Sequence, residues 1–219
     1  MSRPVQIIMK ETILIFGAHG DDEIIGMGST IAKYAKEGKS IVTIIFSYGE
    51  MSSPWLRKDL LIKDRVKETK EIGKFIGSSE TRFLGLRDRN LEGDIVKYNI
   101  KNKVINLIKK YKPTKIFTHS NKDAHGDHRA VSNLVRDCLD EIGKDISLLV
   151  FEVWNVVDET HPKIYEDVSL TFKRKLEAMK RFKSQRAWVF LLWIPVWVRA
   201  KMIGILNGYK YGERFYKIR

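Results

Sequence analysis

The stretch that decides the fold is ETILIFGAHGDDE, residues 11–23, in which an apolar run stops at histidine and acidic side chains. Four consecutive large apolar residues, ILIF at 13–16, predict a strand buried on both faces. The segment GMGSTIAKYAKEG, residues 26–38, has the spacing of a helix closed by Gly38. A strand followed by a polar turn and then a helix is the first unit of a parallel α/β sheet.

The same alternation continues along the chain. Because strands separated by helices need crossovers, the pattern predicts an α/β fold: a Rossmann-like, three-layer domain with a mostly parallel sheet and helices on both faces. Further strands are predicted at SIVTIIFS (40–47), TRFLGL (81–86), TKIFTH (114–119) and ISLLVFEVWN (146–155). Further helices are predicted at residues 58–77, 95–111 and 129–143, with RDRNLEGD (87–94) as a loop.

The pattern weakens beyond residue 155. DVSLTFKRKLEAMKRFKSQ, residues 167–185, predicts a strand-like piece followed by a helix, and the tail at about 185–219 is apolar and aromatic. The sequence has neither repeats nor a convincing linker. We therefore predict a single domain over residues 1–219, with the tail packed on it or forming an interface.

Composition and charge exclude several classes of protein. The single cysteine, Cys138, excludes an intrachain disulfide and a cysteine-rich metal site, and it favours a reducing, cytoplasmic setting. We expect no signal peptide, and the apolar run at 187–198 is too short and contains a proline, so no membrane span is predicted. The net charge of +13 is mixed with acidic residues, which predicts a solvated surface and no specific nucleic-acid partner.

Two polar loops follow predicted strands. Parallel strands present their carboxyl ends at one edge of the sheet, so we expect the loops to meet there. Two imidazoles and one carboxylate are a common ligand set for a catalytic divalent metal, usually zinc. A spare carboxylate can then act as a base, and a spare histidine can stabilise an oxyanion. The loops contain His19, Asp21, Asp22 and Glu23, and His119, Asp123, His125, Asp127 and His128.

Each loop taken alone has an ordinary structural explanation. An aspartate after a strand is a good helix N-cap, and HGDH, residues 125–128, is compatible with a polar surface turn. Both loops at equivalent strand ends favour a metal site much more strongly than either one does.

These motifs carry a resemblance to a known family. Residues 17–50, beginning GAHGDDE, resemble the PIG-L/LmbE-like zinc-dependent N-deacetylases, whose hallmark reads A-H-P-D-D-E. Residues 125–128 are similar to the second hallmark, H-P-D-H. Arg65 and Glu68 are similar to the R-x-x-E helix of the family, and Asp88 in FLGLRDRNL (83–91) is also in place. KSQ (183–185) and YGERF (211–215) resemble the C-terminal region of members that include archaeal chitobiose-type deacetylases.

The resemblance implies a metal site and a reaction. It assigns one Zn²⁺ to His19, Asp22 and His128. The implied reaction is hydrolysis of an N-acetyl amide on an N-acetylglucosamine-containing sugar, glycan or glycolipid, releasing acetate and an amine. Sites of this composition also accept iron, cobalt or cadmium.

The resemblance also implies catalytic roles. Asp21 would be the general base toward the water that zinc activates, and His125 would polarise the amide carbonyl or protonate the leaving amine. Asp127 would orient and charge His125. Arg65 would contact sugar hydroxyls.

One paired departure separates this sequence from the hallmarks, because both prolines are glycines, Gly20 and Gly126. Proline fixes φ and glycine frees it. We expect the loops to be less ordered without metal than those of a double proline variant.

Several nearby residues have open interpretations. His119 and Asp123 are fourth ligands or, as we favour, hydrogen-bond partners of the ligands. Tyr48, Glu50 and Trp55 follow the second strand at the same edge. Trp55 either stacks on a sugar face or packs within its loop.

The aromatic tail has three interpretations: closure of the core, a subunit interface, or peripheral membrane contact through residues 187–201. Its three tryptophans suit an interface, and we expect a homo-oligomer. Arg186, Arg199 and Lys201 could instead meet lipid phosphates.

Three rival functions remain at this point. The same metal site can cut another amide, on a thiol precursor or an antibiotic. A Rossmann-like protein that binds a nucleotide or nucleic acid would use the positive charge, but it would not need the paired loops. A metal protein without catalysis is disfavoured because Asp21 is retained beside Asp22.

Overall fold

A computed structural model describes residues 10–52, 57–153 and 160–219. Their strands form a seven-stranded sheet in the order β3-β2-β1-β4-β5-β7-β6. The strands are β1 (Thr12–Gly17), β2 (Ser40–Ser47), β3 (Glu80–Leu86), β4 (Lys115–Thr118), β5 (Ser147–Phe151), β6 (Lys163–Asp167) and β7 (Gly212–Lys217).

The sheet is mostly parallel, as predicted. Strands β1 to β5 run parallel to one another, whereas β7 is antiparallel to both β5 and β6. The chain moves outward from β1 in one direction to β3 and in the other direction to β4 and β5. The gap between the carboxyl ends of β1 and β4 is therefore the topological switch point, where open α/β sheets bind ligands.

Helices cover both faces, which confirms the three-layer prediction. Apolar side chains of α1, α2, α6 and α7 form one core with the sheet, and those of α3, α4 and α5 form the other. The helices are α1 (Asp22–Lys36), α2 (Lys58–Ile76), α3 (Leu91–Lys97), α4 (Ile100–Tyr111), α5 (Gly126–Ile142), α6 (Phe172–Lys180) and α7 (Arg186–Leu206), with a 3-10 turn at Glu50–Ser52.

Strand β1 explains why the opening stretch decides the fold. Ile13 and Ile15 belong to one core, and Leu14 and Phe16 belong to the other. All four side chains are fully buried. A strand with apolar side chains on both faces is stable only in the middle of a sheet covered on both sides.

Three predicted elements differ in the structure. The helix expected at 95–111 is divided in two, because Asn99 adopts a left-handed backbone with φ of 48°. The first of these helices, α3, begins at Leu91 inside the predicted loop. The strand-like piece expected at the start of 167–185 is instead a turn, and the strand β6 lies just before it, where no strand was predicted.

The apolar run at 187–198 is part of a longer helix than the sequence indicated. Helix α7 is 21 residues long and continues through Pro195. Its inner residues Val189, Val196 and Ala200 are buried in the core, and this packing offsets the hydrogen bond that a proline removes. Among the described residues, α7 is the one helix long and apolar enough to cross a membrane by length and composition, and only 28% of its most apolar window is buried.

A buried carboxylate links the first helix to the last strand. Helix α1 has a kink at Met27, which has a non-helical φ of −143°. Just after the kink, Glu213 of β7 accepts hydrogen bonds from the backbone amides of Ser29 and Thr30 at 3.3 and 2.8 Å. It also pairs with the buried ammonium of Lys175 at 2.7 Å. Glu213 therefore acts as an N-cap for the second half of α1.

Candidate active site

The structure brings the two polar loops together at the switch point. The first loop connects β1 to α1, and the second connects β4 to α5. His19 Nδ1 lies 3.5 Å from Asp22 Oδ2, and His128 Nε2 lies 3.4 Å from Asp22 Oδ1. One donor atom from each of the three side chains lies within 4.8 Å of the other two. The predicted metal ligands therefore form one cluster.

The cluster of His19, Asp22 and His128 fits a divalent metal. Ligand atoms about 2.0–2.2 Å from a tetrahedral zinc are about 3.3–3.6 Å apart. The imidazoles of His19 and His128 lie at about that separation from different oxygens of the Asp22 carboxylate, at 3.5 and 3.4 Å, and one donor atom from each of the three residues lies within 4.8 Å of the other two. Asp22 and His128 are buried, and a buried group of nitrogen and carboxylate donors is suited to such an ion.

The side chains of the cluster shift one another's pKa values. Burial raises the pKa of Asp22, but the charge on His128 lowers it to well below its usual range. Burial lowers the pKa of His128, and the Asp22 charge outweighs this and raises it to about 9. Burial lowers the pKa of His19, but its hydrogen bonds to Asp127 and Asp22 outweigh burial and raise that pKa well above its usual value. A metal would replace these protons.

Asp123 and His119 support the ligands. Asp123 Oδ2 lies 3.2 Å from His128 Nδ1, and its Oδ1 accepts the backbone amide of His125 at 2.8 Å. His119 is fully buried and stacks on the His128 ring at 4.0 Å. Its Nε2 accepts the backbone amide of Ala18 at 3.0 Å, so that nitrogen is occupied. The donor atoms of His119, Asp123 and His128 also lie within 4.8 Å of one another, so the supporting role that we favoured over a fourth ligand stays a prediction.

Asp21 is at the N-cap position of α1, but its side chain makes no capping hydrogen bond. Its carboxylate instead lines the cavity beside the cluster. Burial raises its pKa, and the charge of Arg65, whose guanidinium nitrogen lies 3.9 Å away, opposes that shift. A carboxylate with a raised pKa is better suited to accept a proton than an ordinary surface aspartate.

His125 does cap a helix. Its Nδ1 accepts the backbone amide of Asp127 at 3.2 Å at the start of α5. Because Nδ1 accepts this bond, a neutral His125 carries its proton on Nε2. Burial and the nearby charges of His128 and His19 lower its pKa.

The Asp127 carboxylate makes its described hydrogen bonds to the loop after β3. It accepts the backbone amides of Arg89 at 2.7 Å and Leu91 at 3.3 Å, and it lies 3.4 Å from His19 Nε2. The hydrogen bond between Asp127 and His125 is through the Asp127 amide. The role of Asp127 in orienting and charging His125 stays a prediction.

Asp88 contacts the site, although the sequence analysis gave it no role. Its Oδ1 lies 3.2 Å from His19 Nε2, and its Oδ2 accepts the Met51 amide at 3.0 Å. Glu50 accepts the Asp88 amide at 3.0 Å. Burial opposes ionisation, but the hydrogen bond and charge of His19 lower the pKa of Asp88 to about 2. The available signal was its position directly after the predicted strand at 81–86.

Glu68 of α2 holds the segment just before α7, a contact that the sequence analysis missed, and Arg65 of the same helix lines the cavity. Glu68 accepts the amides of Lys183 and Ser184 at 3.0 and 3.1 Å. Arg65 is buried and donates to Ser52 Oγ at 2.8 Å. The two residues are one helical turn apart on the same side of α2. Arg65 can therefore line the cavity while Glu68 contacts the segment 183–185.

The cavity at the site has a volume of about 430 Å³ and two unlike walls. One wall carries the charged and histidine side chains described above. The other wall is apolar and comes largely from the first turns of α7. Its apolar lining residues are Ile25, Val153, Trp188, Leu191 and Leu192.

The two hallmark glycines have unlike surroundings. A Cβ added to Gly20 would lie 2.4 Å from Thr69 Oγ1, so Thr69 fills that space. A Cβ on Gly126 would meet only the end of Arg129 at 3.8 Å. His125, the preceding residue, already has the extended φ and ψ of −81° and 127° that precede proline.

Residues of the loop after β2 are only partly described. The interpretation that placed Trp55 on a sugar face concerns a residue outside the described ranges. Tyr48 stacks on Phe83 with ring centroids 5.5 Å apart, so it packs against β3.

Sequence comparison identifies relatives of the chain. Residues 14–139 match the family described as PIG-L, GlcNAc-PI de-N-acetylase. A probable N-acetyl-alpha-D-glucosaminyl L-malate deacetylase 2 of Bacillus cereus is 24% identical over 187 residues, which cover 81% of this chain and 84% of the relative.

Solved structures share the fold. The N,N'-diacetylchitobiose deacetylase of Pyrococcus horikoshii superposes with a TM-score of 0.79 at 22% identity, covering 95% of this chain and 84% of that one. The 4-carboxy-2-hydroxymuconate hydratase GalB of Pseudomonas putida KT2440 has a TM-score of 0.83 at 16% identity, covering 95% and 96%. At these identities the likeness shows the architecture, and the chemistry must be argued from the site.

Proposed function

The chain belongs to the PIG-L family of GlcNAc-PI de-N-acetylases, and from that premise we propose that it is a zinc-dependent N-deacetylase. Its substrate class is an N-acetylglucosamine-containing sugar, glycan or glycolipid. The observation that carries the proposal is the position of Asp21: its carboxylate does not cap α1 and lines the same cavity as His19, Asp22 and His128.

The residues that would hold the metal are His19, Asp22 and His128; Asp88 is hydrogen-bonded to His19, and the Asp123 carboxylate lies 3.2 Å from His128 Nδ1. When bound, the metal acidifies water at the site and polarises the amide carbonyl.

Asp21 and His125 supply proton transfer in this proposal. Asp21 accepts the proton of the attacking water, since burial makes its carboxylate more basic than usual. His125, with its proton on Nε2, donates a hydrogen bond to the carbonyl oxygen as charge develops there, and the proton held by Asp21 passes to the nitrogen as the C–N bond breaks. The water oxygen forms the new bond to the acetyl carbon, and the products are acetate and the free amine.

Arg65 and the apolar wall supply binding. The Arg65 guanidinium lines the cavity 3.9 Å from Asp21 and is fixed by Ser52. It therefore both limits the basicity of Asp21 and is available for a sugar hydroxyl. Trp188, on the opposite side of the cavity, offers an aromatic surface to the substrate.

The first experiment measures free-amine release from N-acetylglucosamine, a chitobiose-like disaccharide and a lipid-linked N-acetylglucosamine, with zinc present. We expect release from at least one compound and a loss of at least about 100-fold in Asp21→Ala, since general-base catalysis contributes about 10²–10⁴-fold. Asp140→Ala, at an exposed residue on α5, is the matched control.

A negative result is equally informative. Release that persists in Asp21→Ala would remove the role of Asp21 as base. If zinc-loaded protein releases no amine from any compound, the amino-sugar assignment is wrong, and the amides of thiol precursors and antibiotics are tested next. Replacing zinc with iron, cobalt or cadmium in the same assay identifies which metal supports turnover.

The proposal includes a cytoplasmic location and a homo-oligomeric state, both carried from the sequence. Light scattering on the purified full chain gives the subunit number directly.

A further inference from the structure

Helix α7 exposes an unusual amount of apolar surface. Phe190 is 78% exposed, Ile194 is 69% exposed and Leu206 is 79% exposed. No other described element covers this side of the helix. We call it the α7 outer face, defined by Trp188, Phe190, Leu191, Ile194, Trp197, Val198, Met202, Ile205 and Leu206. A helix that is apolar all round is normally buried, so this surface requires an explanation.

The opposite side of α7 is packed on the domain, which limits how the helix can contact a membrane. Val189, Val196 and Ile203 are buried against the core. Arg199, in the middle of the helix, donates to the backbone carbonyl of Val153 at 2.9 Å. Because one side is packed on the domain, α7 cannot cross a bilayer without unfolding it. It can lie in the plane of a membrane surface with its outer face in the lipid.

The charge around the outer face has one sign. Between residues 172 and 206 there are nine lysines or arginines, of which Lys175 is buried and paired with Glu213, and a single acidic residue, Glu177. Arg181, Lys183 and Arg186 are exposed where α7 begins. Lys180 lies over the Trp193 ring at 4.9 Å. Exposed cations beside an apolar and tryptophan-containing face suit an anionic lipid surface.

The outer face is continuous with the opening of the cavity. Trp188 and Leu191 belong both to this face and to the lining of the cavity at the metal cluster. Leu192 and Val153 line that cavity and also a neighbouring apolar groove of about 370 Å³ along α7. A surface docked through α7 would therefore lie beside the entrance to the site.

We propose that the α7 outer face is a peripheral docking surface for an anionic lipid bilayer. Phe190, Ile194 and Trp197 enter the interface, and Arg181, Lys183 and Arg186 meet the lipid phosphates. The docking does not depend on the deacetylase chemistry. The proposed function enters only in the consequence that lipid-linked amino sugars would reach the cavity without leaving the membrane surface.

A second copy of the chain suits this face less well. Most dimers are two-fold symmetric, so each patch would meet itself. The cations that flank α7 would then be brought near their symmetry mates, with Glu177 as the only acid in the segment to offset them. Like charges brought together without counter-ions disfavour association, whereas anionic lipid supplies the counter-charge.

The test is flotation of the full chain with vesicles of phosphatidylcholine containing 30% phosphatidylglycerol, without substrate. The main variant is Phe190→Asp/Ile194→Asp. The matched control is Val96→Asp on α3, a residue that is 79% exposed on the other face of the sheet. Wild-type flotation is repeated in pure phosphatidylcholine and at high salt. Circular dichroism and light scattering establish that each variant is folded and give its oligomeric state.

We expect wild type and Val96→Asp to float with anionic vesicles, and the double variant to bind at least about tenfold more weakly. We also expect wild-type binding to fall with salt and in neutral vesicles. Absence of flotation at low salt would overturn the proposal, and so would equal binding by the double variant. A stable dimer that the double variant dissociates, with no vesicle binding, would assign the face to a second copy instead. None of these results depends on turnover.

Discussion

Glu68 of α2 accepts hydrogen bonds from both the backbone amide and the hydroxyl of Ser184, at 3.1 and 2.5 Å. Glu68 also accepts a hydrogen bond from the backbone amide of Lys183, at 3.0 Å. Ser184 lies two residues before α7, and the first turns of α7 form the apolar wall of the cavity. One carboxylate on a helix therefore positions the opposite side of the site.

Glu68→Ala is expected to weaken substrate binding more than turnover. Loss of the hydrogen bonds at Ser184 frees the start of α7, while Asp21 and the metal cluster are untouched. We expect KM to rise about 3–10-fold with kcat within about twofold, the signature of lost uniform binding. Steady-state kinetics checks this. Glu71→Ala, on an exposed residue of the same helix, should resemble wild type; a fall in kcat alone in Glu68→Ala would contradict the assignment.

Asp123→Asn is expected to lower metal affinity. Asp123 Oδ2 lies 3.2 Å from His128 Nδ1 and orients that ligand. Loss of such support typically costs about 10–100-fold in affinity. Competition with a zinc indicator measures it. Asp140→Asn, at an exposed carboxylate also on the α5 side of the sheet, should bind metal as wild type does. Unchanged affinity in Asp123→Asn would show that His128 is held by its other contacts.

The two hallmark glycines should respond in opposite directions. Gly126→Pro is expected to raise the free energy of unfolding by about 0.4–1 kcal/mol, because the position opens α5, has room for a ring and follows an extended residue. Gly20→Ala should destabilise by about 1–3 kcal/mol, because its Cβ overlaps Thr69 Oγ1. Denaturant unfolding of the apo-proteins measures both.

Thr69→Ala in the Gly20→Ala background is the control for that overlap. It should recover part of the lost stability, whereas Thr69→Ala alone should not stabilise the protein. If Gly20→Ala and wild type have the same midpoint of denaturant unfolding, the tight packing against Thr69 does not contribute to the free energy of unfolding.

Asp94 should make stability depend on pH in acid. Its hydrogen bonds to Arg87 lower the pKa to about 2, below the usual value of about 3.8. Since the folded pKa is the lower one, the stabilisation is fully present above about pH 4 and is lost between about pH 4 and pH 2. Asp94→Asn should therefore be less stable at pH 7, by about 1 kcal/mol because the exposed guanidinium of Arg87 is screened by solvent, and the difference should shrink as the pH falls toward 2.

Unfolding curves of Asp94→Asn and wild type at several pH values test this expectation. Glu92→Gln, at an exposed position on the same helix, is the control and should show no such difference. A constant gap between Asp94→Asn and wild type from pH 7 to pH 2 would show that the ion pair is not its cause.

Local patterns predicted the sheet and the meeting of the two polar loops, whereas the choice of His19, Asp22 and His128 as metal ligands came from the family resemblance. The apolar run at 13–16 can be stable only in a central strand, and the residues after β1 and β4 must share an edge once those strands are parallel neighbours. His19, Asp22 and His128 therefore came together as expected. Whether they hold zinc is a separate question, since the donor set does not select one metal.

Other features depend on contacts that spacing does not encode. The pairing of Glu68 with Ser184 joins residues 116 positions apart. Asn99 breaks the helix expected at 95–111 because its backbone is left-handed. Asparagine adopts this conformation easily, but its presence in a sequence does not predict it. Pro195 remains inside α7 because tertiary packing outweighs its low helix propensity.

The contact between Glu213 and the kink of α1 places a constraint on how the protein is made. Ser29 and Thr30 leave the ribosome early, and the carboxylate that satisfies their buried amides is synthesised more than 180 residues later. Until then the helix that carries Asp22 has an uncapped second half and Lys175 has no counter-charge. The final hydrogen bonding of the first helix therefore waits until the last strand, β7, has been synthesised.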